Sequence, residues 1–351
     1  MHQEALEQNL EQLHYLETKA NVKILHTLKS FNKSSITPLI SNKISGMSVS
    51  SLKEIKMAEQ AEAKHLHLYA PAFKEEDFIE ASQKVHTLSL NSLSQWKRFA
   101  HLASKSSLGL RINPKLFLPI PDYCNPNLSY SRLGIDYQEF LENFHHNRED
   151  FSSLEGLHFH ALFQSSFQGL EILLEHITQH YQAILPQLKW LNLGGGHNFT
   201  DSKYETEEFI TSIRKFKERY PHIELYFEPG ETVIKGCGDF VCSVLDIITI
   251  ENEEVAILDT SIETHLLDVA IVNQRLHVEG TDSYSTPYFY HLAGNSCLQG
   301  DMIGVYFFVE ALEVGSKVTF KDMMGYTMVK MTEFNGMKKA NFVLNSSKNK
   351  G

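Results

Sequence analysis

Short apolar runs alternate with longer amphipathic segments from the start of the chain to about residue 230. Eight of these runs have the length of buried strands, and they cover residues 22–28, 44–49, 65–70, 85–90, 107–113, 155–162, 189–194 and 224–229. Apolar residues at helical spacing fill segments between them, including 51–63, 92–104 and 167–184. Eight strands that alternate with helices are typical of a closed (β/α)8 barrel. The pattern therefore predicts an α/β fold with a TIM barrel over residues 1–232.

The pattern changes after Pro229-Gly230, where strand-like runs follow one another without long helices between them. These runs are GDFVCSVLDIITI, VAILDT, QRLHVEG, PYFYHLAG, DMIGVYFF and SKVTFKD. Strands joined by short connections pair in antiparallel fashion. We therefore expect a separate, mainly antiparallel β-domain over residues 233–351.

The composition of the chain argues against some classes of binding partner and favours one cellular compartment. The chain has a formal net charge of −11, which argues against nucleic acid or an anionic membrane surface as a partner. No run approaches the roughly 20 apolar residues that a membrane span needs. The four cysteines, Cys124, Cys237, Cys242 and Cys297, form no CxxC pair, which favours a reduced, cytoplasmic setting.

Candidate chemistry lies where the barrel strands end, because TIM barrels carry their active sites at the C-terminal face. Lys29 follows the first strand, Gly194, Gly195 and Gly196 follow the seventh, and Glu228 ends the eighth. A desolvated lysine attacks aldehydes, a glycine turn lets backbone N–H groups approach a phosphate, and a carboxylate holds a pyridine nitrogen protonated. Taken singly, each residue also fits an ordinary role: a solvated lysine, a tight turn and a helix cap or surface ion pair.

The sixth strand carries His158 and His160 on one face. They fit satisfied core histidines, but an HxH pair is also a pattern of zinc ligands. Zinc would need further ligands, for which His26 and His197 are candidates, so a metallohydrolase stays open as an alternative.

Several longer segments together point to one family. GLHFHAL, LNLGGGHNFT, YFEPGETVI and AGNSCLQGD occur in that order, within a similarity that covers nearly the whole chain. The sequence resembles the fold-type III decarboxylases that use pyridoxal 5'-phosphate (PLP), the group of ornithine, arginine and diaminopimelate decarboxylases and alanine racemase. The resemblance implies a PLP-dependent decarboxylase with no catalytic metal.

The resemblance also implies roles for individual barrel residues. Lys29 would form the Schiff base with PLP, and the ring of His160 would stack on the pyridine ring. The Gly194–Gly196 loop would bind the phosphate with the help of Tyr326 in the β-domain. Glu228 would pair with the pyridine nitrogen.

Two further roles imply an assembly. Cys297 would return a proton to the substrate carbanion and Asp301 would hold a substrate amine, each from the partner subunit of a homodimer. The EPGE segment is similar to the carboxynorspermidine branch of the family, which implies a polyamine-like substrate and spermidine or norspermidine as product. Glu231, Glu263 and Asp268 are candidates to hold the distal amines.

Other functions within the family remain open. Another basic amino-acid decarboxylase or a diaminopimelate decarboxylase is the first alternative, although a distal substrate carboxylate would favour arginine where this chain has Glu231. A non-catalytic PLP-binding relative is the second, although the chain keeps Cys297 and Asp301. Relatives usually carry an extra strand before the first helix. This chain begins at MHQEAL, without that strand, so we expect the β-domain to lack an edge strand.

Overall fold

The computed structural model describes residues 1–103, 105–272, 274–282 and 286–345. The chain divides into two compact units. One runs from Gln8 to Val233, and the other combines Met1–Glu7 with the chain from Ile234 onward.

The first unit is built on nine parallel strands. They are β1 (Lys23–Thr27), β2 (Gly46–Val49), β3 (Leu66–Tyr69), β4 (Thr87–Leu90), β5 (Ser107–Asn113), β6 (Ile135–Asp136), β7 (Gly156–His158), β8 (Trp190–Asn192) and β9 (Glu224–Phe227). Eight of them close into a barrel in the order β1-β2-β3-β4-β5-β7-β8-β9, because β9 pairs with β1 and β4 pairs with β5. The predicted barrel is confirmed, and the two-residue β6 is an unpredicted addition beside β5.

Helices accompany these strands, one before β1 and each of the others after a strand. They are α1 (Gln3–Ala20), α2 (Thr37–Lys43), α3 (Leu52–Gln60), α4 (Glu75–Ser82), α5 (Leu93–Phe99), α6 (Tyr137–His146), α7 (Phe167–His180), α8 (Thr206–Arg219) and α9 (Glu231–Ile234). Side-chain caps fix some starts: the Ser51 hydroxyl accepts a hydrogen bond from the Glu54 N–H at the beginning of α3. The segment predicted as one helix over 92–104 is α5 followed by a 3-10 turn over Ala100–Leu102.

The barrel interior is filled by large side chains at one end and by polar groups at the other. The Trp190 ring lies against Gly109 and Gly156, where an added Cβ would come within 2.4 and 2.0 Å of its atoms. Toward the C-terminal ends of the strands, His67, Asn192 and Glu228 are almost completely buried. Buried polar groups require partners, so this end of the barrel is where a site is expected.

The second unit contains one five-stranded sheet. Its strands are β10 (Phe240–Ile250), β11 (Glu253–Leu258), β12 (Tyr288–Ala293), β13 (Met302–Phe308) and β14 (Lys317–Phe320), in the order β13-β12-β11-β10-β14. The pairings are antiparallel except for β11 with β12. The chain crosses over between those two strands through α10 (Ile262–His265) and α11 (Leu267–Val272), and α12 (Tyr326–Val329) follows β14. The mainly antiparallel prediction holds, with one parallel pairing that a crossover produces.

The strand predicted over QRLHVEG, residues 274–280, is wrong. Within 274–282 the structure has only isolated bridges, Val278 to Phe320 and Thr281 to Phe308. Leu276 and Val278 are buried in the β-domain core nonetheless, so their apolar character reflects burial of a loop rather than a ladder. In the described part of the chain, helices with the length and apolarity to cross a bilayer are absent.

Candidate active site

Lys29 directly follows β1, where the backbone is fixed on both sides. The Thr27 N–H donates to the Pro229 carbonyl and the Leu28 N–H donates to the Ser48 carbonyl, each over 3.1 Å. The Lys29 side chain remains accessible. The residues around the amine nonetheless desolvate its charged form, and this effect, together with the Arg111 guanidinium, lowers the pKa of the amine below the ordinary lysine value. The carboxylates of Glu228 and Glu54 oppose this shift. A larger neutral fraction makes the amine more nucleophilic.

Glu228 follows β9 and is 5% exposed. The Asn192 side-chain amide donates to its Oε1 over 2.8 Å. The Nε2 atoms of His158 and His67 lie 3.4 and 3.8 Å from its oxygens. Burial alone would raise the pKa of Glu228, but these neighbours hold it well below the usual range. The barrel interior therefore holds a carboxylate in its ionised form.

The loop after β8 consists of Gly194, Gly195 and Gly196, and it packs against the segment after β7. A Cβ on Gly196 would lie 2.1 Å from the Leu162 carbonyl oxygen, and the φ of +87° already favours glycine. The Gly195 N–H donates to His160 Nδ1 over 3.2 Å. Burial, followed by the charges of Lys29 and Arg111, holds the pKa of His160 well below its usual range, so the ring is neutral. The glycine loop and a neutral imidazole thus form one surface.

Several residues of this site carried no assigned role in the sequence analysis. Arg111 is buried on β5, donates to the His160 carbonyl over 3.3 Å, and lies with its guanidinium 4.5 Å from the Tyr69 ring centre. Glu54 Oε2 accepts the Ser50 N–H over 2.7 Å, and burial raises the pKa of its carboxyl. Asn192 joins Glu228 to the glycine loop, because its Oδ1 accepts the Gly194 N–H. For Arg111 and Asn192 the available signal was a polar residue inside an otherwise apolar strand run, whereas Glu54 lies in the amphipathic helix α3 and gave no such signal.

These groups suit PLP by their chemistry. Lys29 offers an amine to an aldehyde, Glu228 offers a carboxylate to a pyridine nitrogen, and His160 offers a neutral ring to an aromatic face. The Gly194–Gly196 loop has the close backbone approach that a phosphate site uses. The structure brings Lys29, His160, the glycine loop and Glu228 together at the C-terminal ends of the strands, where the sequence analysis expected them.

The histidines were also candidates for zinc. Among the described residues, one group has the ligand types and spacing for a metal: His158, His160 and Glu228, whose ligand atoms lie within 4.8 Å of one another. His26 and His197, the further ligands considered, are outside this group. The Nε2 of His26 is 2.8 Å from the Phe31 carbonyl, and the ring of His197 stacks on Phe199.

In the β-domain, Cys297 is exposed in the loop between β12 and β13. Asp301 closes the same loop and is 4% exposed. Its Oδ1 accepts the Ile262 N–H over 2.8 Å, and its Oδ2 accepts the N–H and hydroxyl of Ser296 over 3.1 and 2.6 Å. The carboxylate therefore fastens the Cys297 loop to the start of α10.

The same region of the β-domain contains three further predicted residues, Glu263, Asp268 and Tyr326. Asp268 Oδ2 accepts the hydroxyl of Thr327, the residue after Tyr326, over 3.2 Å. The backbone carbonyl of Glu263 accepts the Thr332 hydroxyl over 2.7 Å. Hydrogen bonds thus connect the segments that carry Glu263, Asp268, Cys297, Asp301 and Tyr326, although they are far apart in sequence. Glu231 is exposed at the start of α9 in the barrel unit.

The family model "Pyridoxal-dependent decarboxylase, pyridoxal binding domain" matches residues 4–235. A carboxynorspermidine/carboxyspermidine decarboxylase of Campylobacter jejuni is 37% identical, over 99% of this chain and 92% of its own length. A carboxyaminopropylagmatine decarboxylase of Synechocystis is 35% identical, over 96% of this chain and 86% of its own.

Among solved structures, carboxynorspermidine decarboxylase from Campylobacter jejuni, complexed with norspermidine, superimposes with a TM-score of 0.89 at 35% identity. The match covers 99% of this chain and 94% of that one. The match of the family model to most of the chain, together with this full-length similarity, settles the family. The chain belongs to the pyridoxal-dependent decarboxylases and is a PLP-dependent carboxy-lyase.

Proposed function

We propose that this enzyme decarboxylates carboxynorspermidine or carboxyspermidine and so produces norspermidine or spermidine. The observation that carries the choice of substrate is Glu231, an exposed carboxylate three residues after Glu228. Gly230, beside it, packs on Ser30, the neighbour of Lys29, since an added Cβ would lie 2.7 Å from the Ser30 hydroxyl oxygen. A carboxylate this close in the chain to the residues beside Lys29 favours a substrate with a distal ammonium over one with a distal carboxylate. The relatives with full-length similarity support the same choice.

In our proposal each of these residues has a separate role. Lys29 attaches the cofactor covalently, the Gly194–Gly196 loop and Tyr326 bind its phosphate, and His160 packs on its ring. PLP, when bound, supplies the electron sink for the pair left on the α-carbon as CO2 departs. Glu228 keeps the ring nitrogen protonated, which strengthens that sink.

We further propose that the enzyme acts as a homodimer in which Cys297 completes the active site of the other subunit and gives a proton to the α-carbon. Asp301 is proposed to orient this loop through its three hydrogen bonds and to present its remaining negative charge to a substrate amine. Glu263 and Asp268 stay candidates for the distal amines. A cytoplasmic location stays a prediction from cysteine usage.

Carboxyaminopropylagmatine is a second candidate substrate. The relative named for its decarboxylation is 35% identical, close to the 37% of the carboxynorspermidine relative. Its guanidinium end is also cationic, so the charge of Glu231 does not separate the two substrates.

The test is a substrate panel with purified PLP-loaded enzyme, measured as CO2 release. We expect the highest kcat/KM for carboxynorspermidine or carboxyspermidine. The value for meso-diaminopimelate should be lower by ~100-fold or more, because its distal carboxylate would face Glu231 where the preferred substrates have an ammonium. Carboxyaminopropylagmatine as the best substrate would instead select the second candidate.

Lys29→Ala should abolish turnover and the covalent attachment of the cofactor that borohydride reduction makes permanent, because no ε-amine remains. Lys33→Ala is the matched control and should retain both. Turnover of Lys29→Ala at the wild-type rate would overturn the assignment of the site.

A further inference from the structure

Polar side chains on and beside β3 and β4 form a line of contacts in the barrel interior that ends at Glu228. The Thr87 hydroxyl oxygen on β4 lies 3.1 Å from Nε2 of His65 and 2.8 Å from Nδ1 of His67. The other ring nitrogen of His67, Nε2, lies 3.1 Å from the Ser89 hydroxyl and 3.8 Å from Glu228 Oε1. His67, Thr87 and Ser89 are 0%, 3% and 0% exposed, so water does not compete for these contacts.

The donors and acceptors along this line can be assigned in two ways. The Thr87 hydroxyl has a single hydrogen, so it donates to one histidine nitrogen and accepts from the other. If it donates to His67, Nδ1 of His67 is the acceptor and its proton is on Nε2, facing Ser89 and Glu228. If it donates to His65, His67 carries its proton on Nδ1 and presents a lone pair to Glu228.

The charge of Glu228 decides between the two. A lone pair opposite a carboxylate in a water-excluded interior is repulsive, whereas an N–H on that side is attractive. His67 is itself neutral, because burial lowers its pKa to about 3. The favoured arrangement is therefore donation from His65 Nε2–H to Thr87, from Thr87 to His67 Nδ1, and from His67 Nε2–H toward Ser89 and Glu228.

We propose that Thr87 and His67 are positioning residues that hold an N–H dipole toward Glu228 and so favour the proton on the pyridine nitrogen over the carboxylate. This inference rests on the proposed pairing of Glu228 with that nitrogen. His158 and Asn192 contact the same carboxylate, with Nε2 3.4 Å from Oε2 and Nδ2 2.8 Å from Oε1. His67 differs from them because it also accepts a hydrogen bond at Nδ1, and donation from Thr87 to that nitrogen strengthens the N–H that points toward Glu228.

Thr87→Val and Ser89→Ala make a matched pair, since each removes one buried hydroxyl that contacts His67. The holoenzyme is reconstituted with PLP carrying 15N at the ring nitrogen, and its chemical shift reports the ratio of protonated to neutral pyridine. Thr87→Val should lower that ratio on the order of twofold, less than the effect of one ordinary hydrogen bond, because Nε2 of His67 lies 3.8 Å from Glu228 Oε1 and acts on it through its N–H dipole. Thr87→Ser should restore it, and Ser89→Ala should leave it unchanged, because Ser89 only accepts in the favoured arrangement.

A direct measurement covers the case in which Thr87→Val does not fold. Wild-type holoenzyme with 15N-labelled histidine should show His67 with its proton on Nε2, the resonance being assigned by its absence from His67→Gln. A proton on Nδ1, an unchanged ratio in folded Thr87→Val, or an equal loss in Ser89→Ala would each overturn the proposal.

Glu228→Gln separates this inference from the proposed site. If Glu228→Gln leaves the pyridine signal unchanged, the pairing of Glu228 with the ring nitrogen fails, and with it the basis of the inference. If Glu228→Gln shifts the signal and folded Thr87→Val does not, only the roles of Thr87 and His67 fail.

Discussion

The backbone N–H of Gly195 donates a hydrogen bond to Nδ1 of His160 over 3.2 Å. A neutral imidazole that accepts at Nδ1 carries its proton on Nε2, so this contact fixes the tautomer as well as the ring position. It also joins the loop after β8 to the segment after β7. The Gly194–Gly196 loop, proposed to bind the phosphate, and the proposed stacking ring of His160 therefore form one surface, and a change in the loop is expected to alter cofactor binding.

Gly196→Ala tests this coupling. The new Cβ would lie 2.1 Å from the Leu162 carbonyl oxygen at a residue with a φ of +87°. We expect a loss of about 3 kcal/mol in the free energy of unfolding, which combines overpacking with left-handed strain, and weaker PLP binding. Urea unfolding and a PLP titration measure the two effects.

Gly236→Ala is the control for the strain alone. Its φ is +69°, but an added Cβ meets no atom within 4 Å. The expected loss is about 1 kcal/mol, with unchanged PLP affinity. Equal effects of both substitutions on PLP binding would show that the close approach at Gly196 is irrelevant to the cofactor.

Glu228→Gln removes the charge while keeping the shape of the side chain. A neutral amide cannot hold a proton on the pyridine nitrogen, so the decarboxylation rate should fall at least ~100-fold, the scale of one electrostatic contact of about 3 kcal/mol. Single-turnover CO2 release at saturating PLP measures it. A wild-type rate with PLP bound would place the ring nitrogen away from Glu228.

Stability should fall as the pH drops below about 6.5, the unperturbed histidine value. Burial lowers the pKa of His26 to about 4 and of His67 and His197 to about 3. Between these values and 6.5 the unfolded chain binds protons that the folded chain does not, so each histidine costs about 1.4 kcal/mol of stability per pH unit. The loss begins near pH 6.5 and ends below the folded pKa values.

Urea unfolding of the apoenzyme between pH 7.5 and 5 measures this slope, and His26→Gln provides the comparison. His26 Nε2 contacts the Phe31 carbonyl, and a glutamine amide retains a donor for it. The variant should show a shallower pH dependence than the wild type. The same slope in both proteins would contradict a neutral, buried His26.

Asp301→Asn tests the attachment of the Cys297 loop. The carboxylate accepts hydrogen bonds from the Ile262 and Ser296 N–H groups, and an amide NH2 would face at least one of these donors. We expect the β-domain to lose about 1–3 kcal/mol of stability and the exposed Cys297 to react with thiol reagents at a changed rate. Calorimetry and labelling kinetics measure the two. Unchanged stability together with a raised KM would leave substrate contact as the sole role of Asp301.

Periodicity was sufficient for the barrel, because each buried strand is an apolar run and each helix an amphipathic one. It failed over residues 274–280, where Leu276 and Val278 are buried from a loop. A short apolar run records burial but does not record whether the backbone has a strand partner. The parallel pairing of β11 with β12 likewise depends on a crossover whose short helices gave no strong periodic signal.

Some residues of the candidate site could be selected from the sequence and others could not. Lys29, the Gly194–Gly196 loop and Glu228 stand at strand ends, so the rule that places function at the C-terminal face of a barrel was enough to select them. Arg111, Asn192 and His67 lie inside strand runs, and their importance depends on which strands are neighbours. Asn192 contacts Glu228 because β8 pairs with β9, a fact of barrel closure rather than of local sequence.

The proposed shared site predicts complementation between two inactive variants. Lys29 belongs to the barrel unit and Cys297 to the β-domain, so Lys29→Ala and Cys297→Ala should each be nearly inactive alone. After subunit exchange, a mixed dimer has one active site with both lesions and one with neither. About half of random dimers are mixed, and each has one intact site of two, so activity should recover to roughly a quarter of the wild-type value per site. Mixing titrations with exchange verified by mass spectrometry measure this recovery. If both residues instead serve the site of their own chain, every site carries one lesion at any mixing ratio, and the absence of recovery would refute the shared site while leaving the roles of Lys29 and Glu228 intact.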